Sequence, residues 1–221
     1  MNPDSVNDQG ADASESVGIL VFDGVEVLDF AGPFEVFSVT RRSESDRAET
    51  ASPCPPVLIA PNAGRVRATG GMDIEVPFAP DGAPPLRALV VPGGRGVRAL
   101  LNDDVIRDWL RMMAGQVEVL MSVCTGAGLL ASSGLLAGHR VTTHHRYLDW
   151  LAELEPNCRV VSGQRFVDEG ALITAGGISA GIDAALHLVA RWEGEAVADA
   201  TASYMEYQRF QQETDKYKKV T

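Results

Sequence analysis

The chain has 221 residues, 45% of them hydrophobic and 22% charged, with a formal net charge of −11. That length supports one large domain with a full core, or at most two small ones, and the composition is that of a globular protein. The acidic balance argues against a nucleic-acid-binding surface, and no apolar stretch approaches the roughly 18 residues of a membrane span.

Three cysteines, Cys54, Cys124 and Cys158, are too few and too scattered for a disulfide framework, and no C-x-x-C pair suggests a metal site. The odd count fits a reducing compartment, so a cytoplasmic location is expected. The first 16 residues contain four acids and no base, and lack the basic and apolar regions of a signal peptide. They are expected to form a disordered tail.

Residues 17–22 (V-G-I-L-V-F) are a short continuous apolar run, as in a strand buried in a parallel sheet. The following D-G-V-E-V-L-D-F-A-G-P-F-E-V-F predicts a helix entered around Asp29. Leu28, Ala31, Phe34, Val36 and Phe37 form its apolar side, and Pro33 is tolerated near its first turn. Asp29 admits two readings. It is a helix N-cap, or it is a site carboxylate, since it follows the carboxyl end of the first strand, where open α/β sheets bind ligands. Glu26 and Glu35 read as solvated charges.

Residues 41–56 form a charged, then Ser- and Pro-rich loop containing Cys54. Residues 57–60 predict a second strand, and residues 65–79 a β-excursion turning at Gly70-Gly71. A third core strand, residues 88–91, runs into Pro92-Gly93-Gly94. This glycine pair is either a plain turn or a place where backbone N–H groups approach a ligand, Gly94 donating one arm of an oxyanion hole. Residues 102–114 predict an amphipathic helix, capped by Asn102 or Asp103, with Val105, Ile106, Trp109, Leu110 and Met113 facing inward.

Residues 117–133 (V-E-V-L-M-S-V-C-T-G-A-G-L-L-A-S-S) combine a buried strand with a small-residue helix, and Cys124 stands at the turn between them. This is the layout of a nucleophile elbow with Cys in place of Ser. A thiol there is expected to ionise more easily, because a helix N-terminus stabilises the thiolate. The alternative is a buried, inert structural cysteine.

After a turn at residues 134–138, residues 141–143 predict a short strand joining the sheet, with His144 at its end. His144 is either a structural, hydrogen-bonded residue or a base facing the site. His145 reads as exposed, and His139 and His187 as loop and helix residues. A helix carrying Tyr147, Leu148, Trp150, Leu151 and Leu154 ends at Pro156. Three short strands follow, over residues 159–161, 165–167 and 171–174. Then A-G-G-I-S opens a long helix with Asp183 in its first turn, favourably placed for the helix dipole. A last helix runs from Glu195 to about Phe210, and residues 211–221 are a polar, frayed end. Strands alternate with helices throughout. The expected fold is α/β: a single-domain, three-layer sandwich over residues 17–210, with a mostly parallel sheet and helices on both faces.

With these pieces in order, the chain resembles the ThiJ/PfpI superfamily, which includes the Parkinsonism-associated deglycase-like proteins. The resemblance implies the flavodoxin-like, class I glutamine amidotransferase-like fold. It rests on V-G-I-L-V-F-D-G-V-E-V-L-D-F-A-G-P-F-E-V-F, A-L-V-V-P-G-G, S-V-C-T-G-A-G-L-L, V-T-T-H-H and T-A-G-G-I-S-A-G-I-D, within residues 17–192. The isonitrile (isocyanide) hydratase subgroup is the nearest in pattern, with its L-D-x-x-G-P, S-V-C-T-G and G-G-I-T-A-G-I-D segments. By that resemblance Cys124 is the nucleophile, Asp29 its acid partner, and Thr125 the residue after the nucleophile. Gly93 and Gly94 would line the substrate, the N–H groups of Gly94 and Thr125 would receive developing negative charge, and His144 would be a neighbour of the site. Thr125 stands where the peptidase branch has His, and Asp29 where the deglycase-like branch has Glu. Both departures count against those activities.

The resemblance thus implies a cofactor-independent lyase that hydrates a small isonitrile to an N-substituted formamide through a thioimidate on Cys124. By the same resemblance it is expected to need no metal and to form a homodimer. The same domain opens a group of transcriptional regulators, but only about thirty residues follow Trp192, against roughly 100 needed for a helix-turn-helix pair, so a fused regulator is not expected. The rivals are a glyoxalase-, deglycase- or amidase-like reaction at the same site, and a non-enzymatic cysteine oxidation sensor.

Overall fold

A computed structural model describes residues 16–45 and 47–210. The tail expected over residues 1–16, Ser16 apart, and the polar end expected over 211–221 lie outside the described residues. In chain order the elements begin with β1 (Val17–Leu20), α1 (Val27–Val39) and β2 (Pro56–Ile59). A hairpin of β3 (Gly64–Arg67) and β4 (Asp73–Val76) leads to β5 (Ala88–Val91), α2 (Val97–Leu100) and α3 (Asp104–Ala114). Next come β6 (Val119–Val123), α4 (Gly126–Ser132), β7 (Arg140–Val141), α5 (Leu148–Leu154) and β8 (Arg159–Val160). The chain closes with β9 (Phe166–Asp168), β10 (Leu172–Ala175), α6 (Ala180–Glu193) and α7 (Glu195–Tyr204).

Six strands form one sheet in the order β2-β1-β5-β6-β10-β9. All neighbours are parallel except β9, which runs antiparallel to β10 along one edge. Four central strands, β1, β5, β6 and β10, are buried at every residue, so both of their faces are apolar and their sequences do not alternate. Helices α1, α6 and α7 pack on one another as one layer, and α4 gathers α2, α3 and α5 into the other. The result is the three-layer, flavodoxin-like sandwich. In such doubly wound sheets, ligands sit outside the carboxyl ends of the strands.

Several local expectations are corrected. Helix α1 starts at Val27, with Glu26 as its N-cap, so Asp29 lies inside the first turn and is not the cap. Pro33 lies in the middle of α1 rather than near its start, and its missing N–H removes the bond otherwise made to the carbonyl of Asp29. Leu28 is exposed, and Phe30 takes the buried place. On α3, Asp103 is the cap, accepting from the N–H groups of Val105 and Ile106. Val105 is 74% exposed, because it lies about 90° around the helix from the stripe of Ile106, Trp109, Leu110 and Met113.

The strand expected at residues 141–143 does not join the main sheet. Arg140–Val141 pairs only with β8, since both edges of β10 are taken by β6 and β9. The segment is tied to the sheet instead by the Thr142 N–H, which donates to Thr174 Oγ1 at 2.9 Å.

The last helix ends at Tyr204, short of the expected Phe210. The following residues lie across α6, where Tyr207 Oη and the Phe210 N–H both donate to Asp183 Oδ1, at 3.0 and 3.3 Å. Arg165 Nε donates to Asp183 Oδ2 at 2.7 Å. Asp183 is therefore a buried anchor for two chain segments, and not only a favourable charge on a helix dipole. Removing it strands a guanidinium and two donors. Asp183→Ala is expected to cost about 3 kcal/mol in urea unfolding, with Asp183→Asn recovering part of it.

Candidate functional site

Cys124 stands at the sharp turn between β6 and α4, with φ of +56°. That left-handed conformation is uncommon for a residue with a side chain, and neighbouring strand ends hold it from outside. The Cys124 N–H is shared between the carbonyls of Ala175 and Gly176, at 3.1 and 2.9 Å. Its carbonyl accepts the hydroxyl of Thr143 at 2.6 Å. The side chain thereby leaves the sheet at its carboxyl end.

Asp29 reaches the same place from α1. It is fully buried, and its Oδ2 accepts the Gly93 N–H at 3.0 Å. The Glu26 N–H returns a bond to the Gly93 carbonyl at 2.9 Å, so the loops after β1 and β5 clasp each other. Gly93 permits this through its missing side chain: a Cβ there would lie 2.6 Å from Thr125 N and 2.9 Å from Asp29 Oδ2. Gly94, at φ +128°, turns its N–H onto Thr125 Oγ1 at 3.1 Å. The two amides of the P-G-G segment thus hold Asp29 and Thr125, rather than standing free for a ligand.

Ile178 completes the arrangement and was not singled out from the sequence. It too has a left-handed backbone, φ +57°, which is a genuine outlier for a β-branched residue. Its amide acts on both Cys124 and Asp29. The available signal was A-G-G-I-S, a second glycine pair at a strand end, read only as the opening of a helix.

The electrostatics invert one expectation. The Cys124 thiol is pushed up to about 12, first by burial and then by the neighbouring Asp29 carboxylate. The amides of Thr125 and Ile178 favour the thiolate but do not outweigh these effects. Helix α4 has only seven residues and lends little dipole. The thiol is therefore harder to ionise than a free cysteine. Asp29 is raised from 3.8 to about 7, chiefly by burial, while the Gly93 amide and the Cys124 thiol pull the other way. Its Oδ1 has no hydrogen-bond partner among the described residues. In the singly charged pair, the proton belongs on sulfur and the charge on Asp29.

Cys124 opens on a cleft of about 680 Å³ that Thr125, Gly94, His144 and Ile178 also line. His144 Nδ1 accepts the Arg146 N–H at 3.3 Å, and its ring stacks on His145 at 4.3 Å. Partial burial, then the charges of His145 and Arg146, lower the pKa of His144. Besides burial, the groups that act most on Cys124 are Asp29, Thr125 and Ile178. No group of three or more His, Cys, Asp or Glu side chains among the described residues is arranged to hold a metal ion, and no described helix is long and apolar enough to cross a membrane.

Residues 15–191 match the model of the DJ-1/PfpI family. The chain belongs to that family. An isonitrile hydratase of Pseudomonas putida is 34% identical over 191 residues, covering 86% of this chain and 78% of the relative. The HTH-type transcriptional regulator GbdR of Pseudomonas aeruginosa is 26% identical over 204 residues, covering 91% of this chain and 53% of the regulator. This chain therefore spans about half the length of that regulator. Among solved structures, a ThiJ/PfpI family protein from Pseudomonas syringae superposes with a TM-score of 0.77 at 23% identity, over 97% of this chain and 84% of the other. That likeness bears out the fold.

The raised Asp29 has a consequence for stability. A group whose pKa is higher folded than unfolded contributes stability that is complete below its unfolded pKa and is lost as pH rises through the folded one. Here the loss runs from 3.8 to about 7. Asp29→Asn, which mimics the protonated form, is expected to raise unfolding stability at pH 8 by up to about 4 kcal/mol and to change it little near pH 4. Equal effects at both pH values in urea melts would show that the ionised carboxylate is not disfavoured.

Proposed function

We propose that this DJ-1/PfpI protein hydrates an isonitrile, R–N≡C, to the N-substituted formamide, with Cys124 as nucleophile and Asp29 as the acid/base. The observation that carries this reading is the coupling of Cys124 to the buried carboxylate of Asp29. Such a pair can move one proton back and forth over a short distance, which is what addition to an isonitrile carbon requires. The similarity to the isonitrile hydratase of Pseudomonas putida supports it.

Above about pH 7 Asp29 is ionised and Cys124 carries the proton. As sulfur attacks the terminal carbon, Asp29 takes the thiol proton and passes it to that carbon. The product is a thioimidate, R–N=CH–S–Cys124. Asp29, again a carboxylate, then takes a proton from water while the hydroxide adds to the same carbon, and the proton goes to nitrogen. The adduct R–NH–CH(OH)–S–Cys124 collapses to R–NH–CHO, its hydroxyl proton returning through Asp29 to the departing sulfur. The amides of Thr125 and Ile178 hold the sulfur as its charge develops, and Gly93 and Gly94 fix Asp29 and Thr125. His144 is a neighbour that the scheme gives no proton-transfer role. We infer a homodimer from the family resemblance, which sedimentation measurements test.

The raised thiol pKa argues against the oxidation-sensor reading, which needs a thiolate-rich, accessible cysteine. The deciding assay is purified protein with cyclohexyl isocyanide, followed by the absorbance of the formamide. Cys124→Ala is expected to abolish turnover, and Asp29→Asn to lower kcat by about 10²–10⁴-fold. In the wild type, kcat/KM is expected to rise as pH passes through about 7, where Asp29 becomes the base. Undiminished turnover in Cys124→Ala would refute the covalent route.

A further inference from the structure

Most arginines of this acidic chain have carboxylate partners: Arg65 with Asp73, Arg107 with Asp104, Arg165 with Asp183, Arg191 with Asp168 and Arg209 with Glu195. Arg95, Arg98 and Arg146 do not. Their side chains make no hydrogen bond, ion pair or ring contact among the described residues, and all three line the cleft that opens on Cys124. Arg67 and Arg159 are also without such partners, but neither lines it. Glu26 is the one acidic residue on its wall, and no arginine is within ion-pair distance of it.

These three arginines come from two separate segments of the chain. Arg95 follows the P-G-G turn and Arg98 lies on α2, whereas Arg146 sits on the turn before α5. Tyr147 and Trp150, in edge-to-face contact with ring centroids 5.9 Å apart, and Val97 add apolar surface between them. The groups that act most on Cys124 and Asp29 include none of these arginines. Three arginines against one carboxylate, Glu26, leave the cleft with an excess of positive charge, and such a cleft with apolar walls concentrates anions. Guanidinium groups in particular recognise carboxylates through paired N–H donors.

We propose that the cleft takes a substrate with a carboxylate at the end remote from its reacting carbon, bound by Arg95, Arg98 and Arg146, with its apolar body against Tyr147 and Trp150. The volume of about 680 Å³ accommodates such a molecule. The inference rests on the hydration reading for the identity of the reacting group, but the anion site itself does not depend on it.

The test compares 4-isocyanobenzoate with 4-isocyanobenzamide, which has nearly the same shape and no charge. The acid is expected to show a kcat/KM about tenfold above the amide at low ionic strength, and added salt should erode that preference. In the triple variant Arg95→Gln/Arg98→Gln/Arg146→Gln the acid-to-amide ratio should fall to about one, while the corresponding Lys variant keeps part of it. A wild-type ratio of one or below, or a ratio unmoved in the Gln variant, overturns the proposal.

A second measurement is independent of turnover. Alkylation of Cys124 is followed by mass mapping in the presence of 4-formamidobenzoate or 4-formamidobenzamide. If neither isonitrile is hydrated, the hydration reading fails, and the anion site stands only if the acid protects Cys124 better than the amide and loses that advantage in the Gln variant. Equal protection by the two, or none by either, overturns it.

Discussion

A carboxylate buried beside a thiol is the constraint on which the rest of this site depends. Asp29 is fully enclosed, and the amides of Gly93 and, more weakly, Ile178 favour its charged form. Burial outweighs those bonds, so the carboxyl is pushed up to about 7, and burial together with its charge keeps the proton on Cys124. The two groups titrate as a pair. The arrangement sacrifices stability at neutral pH for a proton that is easily moved, as functional sites often do.

The supports around this pair explain the glycines. Close approach at Gly93 lets a loop after one strand touch residues that follow two others. The P-G-G amides are then spent on Asp29 and Thr125, and the amides directed at the sulfur come from Thr125 and Ile178. Among the described residues, three with side chains have a left-handed backbone: Cys124 and Ile178, which follow the paired strands β6 and β10, and Glu206. Two of these three strained positions thus lie at the site.

Much of the fold was legible because burial on both faces writes itself as uninterrupted apolar runs. β1, β5, β6 and β10 were readable for that reason, and so was the turn at Cys124. The registers that depend on competition between segments were not. Nothing local to residues 141–143 says that both edges of β10 are already taken, and nothing in Y-M-E-Y-Q-R-F says that α7 stops so that Tyr207 and Phe210 can reach Asp183. At the site, the positions of Cys124, Asp29, Gly93, Gly94 and Thr125 were legible, but the ionisation of the thiol was misread. A strand-helix turn suggested a dipole that favours thiolate, whereas the short α4, the burial and the carboxylate next door are facts of three dimensions. Ile178 was missed because the property that matters is its backbone, which its side chain does not announce.

The acceptors that hold the Cys124 amide, Ala175 and Gly176, lie some fifty residues further along the chain, on the strand that fills the gap between β6 and β9. A nascent chain that has emerged only through α5 therefore has its cysteine but not the turn that aims it. Before β10 docks, the burial that holds the thiol pKa up is incomplete, and the thiol is expected to oxidise more easily than in the finished protein. Completion of the sheet is then the event that fixes the turn and encloses the thiol.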